Sequence, residues 1–499
     1  MHYFLVPHIK GPAVDYQLLF TTYTAMPAHA RWSRQRQLHE CLRSAIRSGT
    51  LRGGARLPAT RTLANELGLS RNTVLYAYDQ LATEGFVLPD RRGTVVAGAA
   101  ARTALPAPAA TPLRVGLSRR ALAVPTRDAP ETPAAFAPGV PALKEFPATL
   151  WRRLMDRAWK SLRTEQLNYA PHTGEPALRE AIANHLRVAR GARLDANQVF
   201  ITDGTQNSLD LCAQAFADAG DKVWIESPGY LGALAAFKAA QLKPMGIVVD
   251  GEGMAPTAAD WQRHPPKLIY VTPSHQYPTG SVLSLQRRLD LIANARAAQA
   301  LIIEDDYDSE FRHDGPPLSC MQGLEVDAPV LYLGTFSKTM FPALRLGFVV
   351  VPAALVEPLS ALLARTAPRG RAAEQLALAE FMQSGQFSLH LRRMRRLYRQ
   401  RRDALVAALE QQLGDVADVY GGSAGMHLAL RLRNPQADDA AMSKQLLSLG
   451  VVAPALSPQA VGQRVQPWRG FLLGYAQVPV EQMPKLVGHL AKVVKSKAH

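Results

Sequence analysis

Apolar positions recur every three to four residues over 33–49, where Leu38, Leu42 and Ile46 share one face. That spacing predicts an amphipathic helix. The stretch ATRTLANELG predicts a second helix, with Leu63, Ala64 and Leu67 turned inward. After a turn at Gly68-Leu69, Ser70 stands where its side chain can cap a third helix running through Leu81, with Val74, Tyr78 and Leu81 on one face. The pattern then becomes that of a short β-hairpin, GFVLPDRRGTVVA, with its tip at Asp90–Gly93. A helix, a helix-turn-helix and a hairpin in that order predict a winged helix over 31–98.

Beyond the hairpin the texture changes twice. Residues 97–134 hold twelve alanines and six prolines. Repeated proline blocks regular helix and leaves little to bury, so 99–134 is read as a semi-stiff linker. Within it, LSRRALAV is expected to dock as a short helix. From Phe136 on, short apolar runs such as QVFIT, DKVWIES, KLIYVTP, ALIIEDD and PVLYLGT alternate with longer helical patterns. This alternation predicts an α/β domain over 135–496 with a mostly parallel central sheet. From about Phe387 a helix and mixed strands predict a smaller C-terminal α+β subdomain. Residues 1–30 are read as an N-terminal extension without ordered pattern, and Met26 is an alternative start. Their opening lacks the basic start and unbroken apolar core of a signal peptide, since Pro7, His8 and Lys10 interrupt it.

Charge adds a partner. The chain carries a net +16 with a pI near 9.9, which favours an anionic partner, nucleic acid ahead of membrane. Between Arg31 and Gly98 eleven arginines face five carboxylates, so the predicted winged helix is itself basic. No uninterrupted apolar run reaches the roughly 18 residues of a membrane span. Three scattered cysteines, Cys41, Cys212 and Cys320, suggest neither a disulfide framework nor a metal site. A reducing cytoplasm is the expected compartment.

The carboxyl ends of parallel strands are where ligands bind in such sheets, and five loops there carry candidate chemistry. In ITDGTQNSLDLC, Gly204, Thr205 and Gln206 open a helix whose free N–H groups and dipole suit a phosphate. ESPGY places Tyr230 either to stack on a flat ring or to pack. TPSHQYPTG is a rigid turn displaying His275, Gln276 and Tyr277. IIEDDYDSEF crowds Glu304, Asp305, Asp306 and Asp308, at a Coulomb cost unless positive groups answer them. GTFSKTMFPALRLG brings Thr335, Ser337, Lys338 and Arg345. Each loop alone also reads as an ordinary turn, and Tyr230 and His275 by themselves read first as packing residues. As a set they supply an amine (Lys338), a carboxylate (Asp305), a ring face (Tyr230) and phosphate donors (Thr205, Ser337, Arg345). An aldehyde cofactor built on a phosphorylated pyridine ring requires all four.

With RLPATRTLANELGLSRNTV in the first domain, these phrases carry a resemblance. Residues 136–490 resemble a fold-type-I aminotransferase of the pyridoxal-phosphate class. Residues 33–98 resemble the GntR winged-helix family, and the joined arrangement resembles the MocR subfamily of bacterial transcription regulators. The resemblance implies pyridoxal 5'-phosphate as cofactor and a Schiff base on Lys338. It further implies Asp305 at the ring nitrogen, Tyr307 near the phenolic oxygen, and a homodimer in which Tyr169, in NYAPHTGEPALRE, reaches the partner subunit's phosphate.

In a helix-turn-helix the start of the second helix enters the major groove. Ser70, Arg71, Asn72 and Thr73 are therefore expected at bases and phosphates, Thr60 and Arg61 at phosphates, and Arg91, Arg92, Gly93 and Thr94 in the wing. The wing sequence RRGTVV is more charged than the Gly-Ser-Gly-Thr-Phe pattern usual in the family. A basic helix, LHLRRMRRLYRQRRD, is read as a solvated or inter-domain face, with phosphate contact as the alternative. Three functions remain open at this point: a regulator that senses pyridoxal phosphate or an amino compound, a working aminotransferase with an added DNA-binding domain, and a repressor without cofactor. One departure separates the first two. Working enzymes of this class carry an arginine near the chain end that clamps the substrate α-carboxylate. The matching stretch here is GFLLGYA, with Leu472 at that position, and Arg464 or Arg469 as possible substitutes from nearby. This argues against efficient transamination and leaves a residual half-reaction open.

Overall fold

The computed structural model describes residues 14–29, 31–98, 116–122, 135–169, 171–315, 318–366, 370–462 and 467–496. The chain forms two units, Met1–Gly116 and Leu117–His499.

The first unit has four helices and a hairpin: α1 (Tyr16–Thr24), α2 (Arg34–Arg47), α3 (Thr60–Leu67), α4 (Arg71–Thr83), β1 (Val87–Asp90) and β2 (Gly93–Val96). Local chemistry sets their ends. Ser33 and Ser70 cap α2 and α4 by accepting from Arg36 N and Thr73 N. Gly68 closes α3 in the left-handed conformation, at φ +64°, which makes the tight turn between α3 and α4. The inward faces meet as expected: Leu38, Leu42, Ile46, Leu63, Val74 and Leu81 are buried together with Val87 and Val96 of the hairpin. One expectation needs correction. Residues 14–29 are not a loose extension: α1, capped by Asp15, inserts Phe20 into this core, and Tyr16, Leu19 and Tyr23 pack against it. Their apolar spacing over nine residues is too short to stand out in sequence, and tertiary burial decides the outcome. Residues 1–13 lie outside the described residues. So does most of the linker, apart from 116–122 with its one-turn helix Arg119–Leu122.

The second unit is built on an eight-stranded sheet in the order β3-β10-β9-β8-β7-β4-β5-β6. The strands are β3 (Val199–Thr202), β4 (Lys222–Ser227), β5 (Lys243–Asp250), β6 (Gly253–Met254), β7 (Leu268–Val271), β8 (Leu301–Asp306), β9 (Val330–Thr335) and β10 (Gly347–Val350). β4, β5, β7, β8 and β9 pair in parallel, while β10 runs antiparallel between β3 and β9. The central strands β7, β8 and β9 are buried on both faces, which explains their continuous apolar runs. A three-stranded antiparallel sheet follows, β11 (Ala417–Tyr420), β12 (His427–Leu432) and β13 (Gly470–Gly474), in that order. The helices Gln386–Leu413 and Met483–Lys495 add to its core through Leu405, Leu409, Val487 and Leu490. No helix among the described residues is long and apolar enough to cross a membrane.

The basic helix lies within Gln386–Leu413 and is largely occupied inside this unit. Arg395 donates to the Glu310 carbonyl at 2.5 Å, Arg399 to the His313 carbonyl and Arg402 to the Gly422 carbonyl, also at 2.5 Å. Arg401 donates to the Ala476 carbonyl, and Arg393 pairs with Glu145. These arginines tie the long helix to loops around it.

Candidate functional site

A cavity of about 390 Å³ opens among the loops at the carboxyl ends of β4, β7, β8 and β9 and the start of the helix Thr205–Phe216. It gathers Thr205, Gln206, Tyr230, Asp305, Tyr307, Thr335, Ser337, Lys338 and Arg345, nine of the residues singled out from sequence. Lys338 follows β9, and its ammonium donates to the Gly139 carbonyl at 2.8 Å. Gly139 has φ +74°, and a Cβ there would fall 2.7 Å from Lys338 Nζ. A side chain at 139 would therefore displace the lysine.

Asp305 projects from β8, one strand away from Lys338. Tyr270 of β7 donates to its Oδ2 at 2.8 Å, while Oδ1 is buried and has no hydrogen-bond partner. Burial dominates its ionisation: it pushes the carboxyl up to about 7, against the hydrogen bond from Tyr270. Its neighbours are answered one by one. Glu304 accepts from Met321 N and Gln322 N. Asp306 pairs with Arg190 at 2.9 Å and accepts from Tyr332. Asp308 pairs with His275 at 3.0 Å. The acidic run is thus four carboxylates with separate partners; Asp305 and Asp306 each keep one buried oxygen without a hydrogen bond, and of these two Asp305 lines the cavity.

The opposite end of the cavity is cationic. Gly204, at φ +93°, is the N-cap of the helix Thr205–Phe216, and a Cβ on it would come within 3.5 Å of the Arg345 guanidinium. Thr205 at that helix start, Thr335, Ser337 and Arg345 line the same cavity, a donor set that suits a phosphate. Amine, unsatisfied carboxylate and phosphate cradle share one cavity, so the residues present fit the pyridoxal phosphate that the resemblance implies.

Tyr230 and Tyr277 meet edge to face at 5.3 Å on the wall. Tyr307 donates to the His275 carbonyl at 2.9 Å and is held protonated by burial, which pushes its phenol well above the ordinary value. His275 and Gln276 do not enter the cavity. Both are buried, and Gln276 joins two loops by donating to the Pro228 carbonyl and accepting from Thr279. Tyr169 stands apart at 88% exposed. Five wall residues, Pro138, Gly139, Tyr270, Met426 and His427, escaped the sequence reading. His427, at the start of β12, is buried beside His275, and burial drives its imidazole well below the ordinary value, so it is neutral. Its Nε2 has no hydrogen-bond partner.

At the clamp position, Leu472 is fully buried with Ala429 and Leu456, and Tyr277 and Trp468 pack against that cluster. Arg469 pairs with Asp439 at 3.6 Å instead of entering the cavity. Arg464 lies outside the described residues. Among the described residues that line the cavity, Arg345 is the one arginine.

In the first unit Ser70, Arg71, Asn72, Arg61, Arg91, Arg92 and Gly93 are exposed, and Thr60 and Thr94 are half-buried. Thr73 departs from expectation. It is buried, and its hydroxyl lies 2.9 Å from that of Ser70, because the capping turn draws it inward. The wing is braced by Arg56 on Asp90 at 2.9 Å.

Residues 145–490 match the family model for aminotransferase class I and II, and residues 34–96 that for bacterial regulatory proteins of the gntR family. The chain is 37% identical to the probable rhizopine catabolism regulatory protein MocR of Rhizobium meliloti, over 91% of this chain and 92% of that one. It is 32% identical to the pyridoxine biosynthesis transcriptional regulator PdxR of Corynebacterium glutamicum, over 83% and 86%. Among solved structures it resembles the kynurenine aminotransferase of Pyrococcus horikoshii, with TM-score 0.70 and 25% identity over 77% of this chain and 98% of that one. With both domains matched in this order, the chain belongs to the MocR-type regulators, in which a GntR winged helix precedes an aminotransferase class I and II domain.

Proposed function

We propose that this protein is a sequence-specific DNA-binding transcription regulator whose second domain holds pyridoxal 5'-phosphate and responds to the cofactor or to an amino compound. The observation that carries this reading is the joint placement of Lys338, the unpartnered Asp305 oxygen and the Gly204–Arg345 cradle in one cavity. When bound, the cofactor supplies an aldehyde carbon open to amines and a ring that withdraws electrons.

The chain's own residues have separable tasks. Lys338 presents its amine to the aldehyde, steadied by the Gly139 carbonyl. Asp305, oriented by Tyr270, accepts the ring nitrogen's proton on Oδ1. Tyr307 offers a phenol beside the ring oxygen, and Tyr230 gives the ring a face. Arg345, Gly204, Thr205, Gln206, Thr335 and Ser337 hold the phosphate, with Tyr169 joining from the partner subunit of a homodimer. On the DNA side, Arg71 and Asn72 read base edges, and Ser70, Thr60, Arg61, Gly93 and Thr94 position the backbone. The compartment is the cytoplasm, where the DNA lies. Catalytic turnover is the weaker reading, because Leu472 closes the place of the carboxylate clamp with an apolar cluster.

A ligand shifts such a protein only by its differential affinity for two states. Operator DNA should therefore bind the cofactor-free and cofactor-loaded forms with affinities that differ by about 1–3 kcal/mol at fixed salt. Equal affinity of the two forms, with or without amino compounds, would overturn the sensing role.

A further inference from the structure

The cavity wall says what kind of amine it admits. Three observations bear on this. Leu472 is fully buried in an apolar cluster on which Tyr277 packs, and Tyr277, not Leu472, lines the cavity. Arg345 sits at the helix start beside Gly204, at the phosphate end. The remaining wall is neutral or acidic: the Tyr230, Tyr277 and Tyr307 phenols, the neutral His427, and Asp308.

A ligand carboxylate entering here loses water and meets, among the described residues, no cation besides the two that the cofactor uses. It also faces Asp308, which His275 already answers. Burying an unpaired anion is costly, and a hydrogen bond to a neutral phenol does not replace a bidentate guanidinium. A ligand with an uncharged body meets none of these penalties. A hydroxyl or N–H on that body meets the tyrosine phenols of the wall.

We propose that the ligand this cavity selects is a primary amine without an α-carboxylate. This rests on the reading that Lys338 holds an aldehyde cofactor. In the exchange, the ligand amine nitrogen bonds to the aldehyde carbon as the bond from that carbon to Lys338 Nζ breaks. The proton shed by the incoming amine passes to the departing lysine, and no oxidant or reductant is consumed.

The test uses the full chain loaded with pyridoxal phosphate. Loading is checked first, by absorbance and by borohydride trapping of the adduct on Lys338; failure at that stage refutes the cofactor reading before any ligand is added. Matched pairs are then titrated, ethanolamine against serine, tyramine against tyrosine and histamine against histidine, following the absorbance of the bound cofactor. The expected result is half-saturation by each amine at a concentration at least about tenfold lower than by its amino acid, the loss of one charge-assisted pair. Amino acids acting at equal or lower concentrations overturn the proposal, as does a loaded protein that answers neither member of any pair. Leu472→Arg, where it folds, should narrow the ratio; a folded variant with an unchanged ratio overturns the part assigned to Leu472.

Discussion

Asp305→Asn isolates one atom of the site. In the cofactor-free protein the Asp305 carboxyl titrates at about 7, chiefly because it is buried. Near neutral pH it is therefore only partly ionised, and its Oδ1 has no partner. A protonated ring nitrogen placed there pairs with the ionised form. Such a charge-assisted hydrogen bond is worth about 1.5–3 kcal/mol, which is about 10- to 150-fold in affinity. Asparagine keeps the shape and can still accept from Tyr270, but it brings no charge. The cofactor's Kd, measured by absorbance titration, should rise by that factor, while borohydride still traps the adduct on Lys338. The same substitution has a second readout in the cofactor-free form. A carboxyl raised from an ordinary value near 4 to about 7 favours folding most below pH 4, and this contribution is lost as pH rises through 7. Glu226 and Glu304, also pushed up to about 7 by burial, act in the same direction. Wild-type thermal stability should fall between about pH 4 and 7 in part through Asp305, and the Asn variant should show a shallower fall. An unchanged Kd would refute the assignment of Oδ1 to the ring nitrogen, whatever the stability profile does.

Lys338→Ala should abolish the borohydride-reducible adduct and any response to amines, with operator binding retained; an adduct that persists places the aldehyde elsewhere. Arg71→Ala should cost about 1–3 kcal/mol of specific DNA binding and relax one base position in a competition assay across operator variants. Phe20→Ala should destabilise the first unit by about 3 kcal/mol in denaturant unfolding, since the ring is buried among α2 and α3 side chains; a change below about 0.5 kcal/mol would show that α1 is dispensable. Replacing Arg392, Arg393, Arg395 and Arg396 together by alanine should leave the salt dependence of DNA binding unchanged, because Arg393 and Arg395 are engaged inside the second unit.

The first domain was legible because its signals are local. Ser70 caps within three residues, Gly68 turns within one, and the buried faces repeat at helical spacing, so each element declares itself. The two misreadings there share a cause. Thr73 shows the polarity of a DNA-contacting residue, yet the capping turn folds its hydroxyl onto Ser70. α1 has too few apolar positions to show a period, yet Phe20 is held by helices that follow it in sequence. In both, a contact made after folding overrides a signal read one residue at a time.

The second domain divides along the same line. Lys338 and Asp305 were legible because each stands at the carboxyl end of a parallel strand, and those ends share one rim; Arg345 precedes β10, whose antiparallel direction puts its start on the same rim. Tyr270 was not, because its meaning comes from strand order. β7 lies beside β8, and only that neighbour relation turns an apolar-strand tyrosine into the donor that orients Asp305. His427 is hidden more deeply. It belongs to the small antiparallel sheet, more than eighty residues past Lys338, and nothing in GMHLAL distinguishes a core histidine from a wall residue. Its neutrality follows from burial, and its free nitrogen from the packing of β12 against the loop bearing His275. The parts of the site that hold the cofactor thus sit on rims a sequence reveals. On the proposed reading, the part that chooses a ligand includes Leu472 of β13, in that same small sheet, where no strand rim of the large sheet points to it.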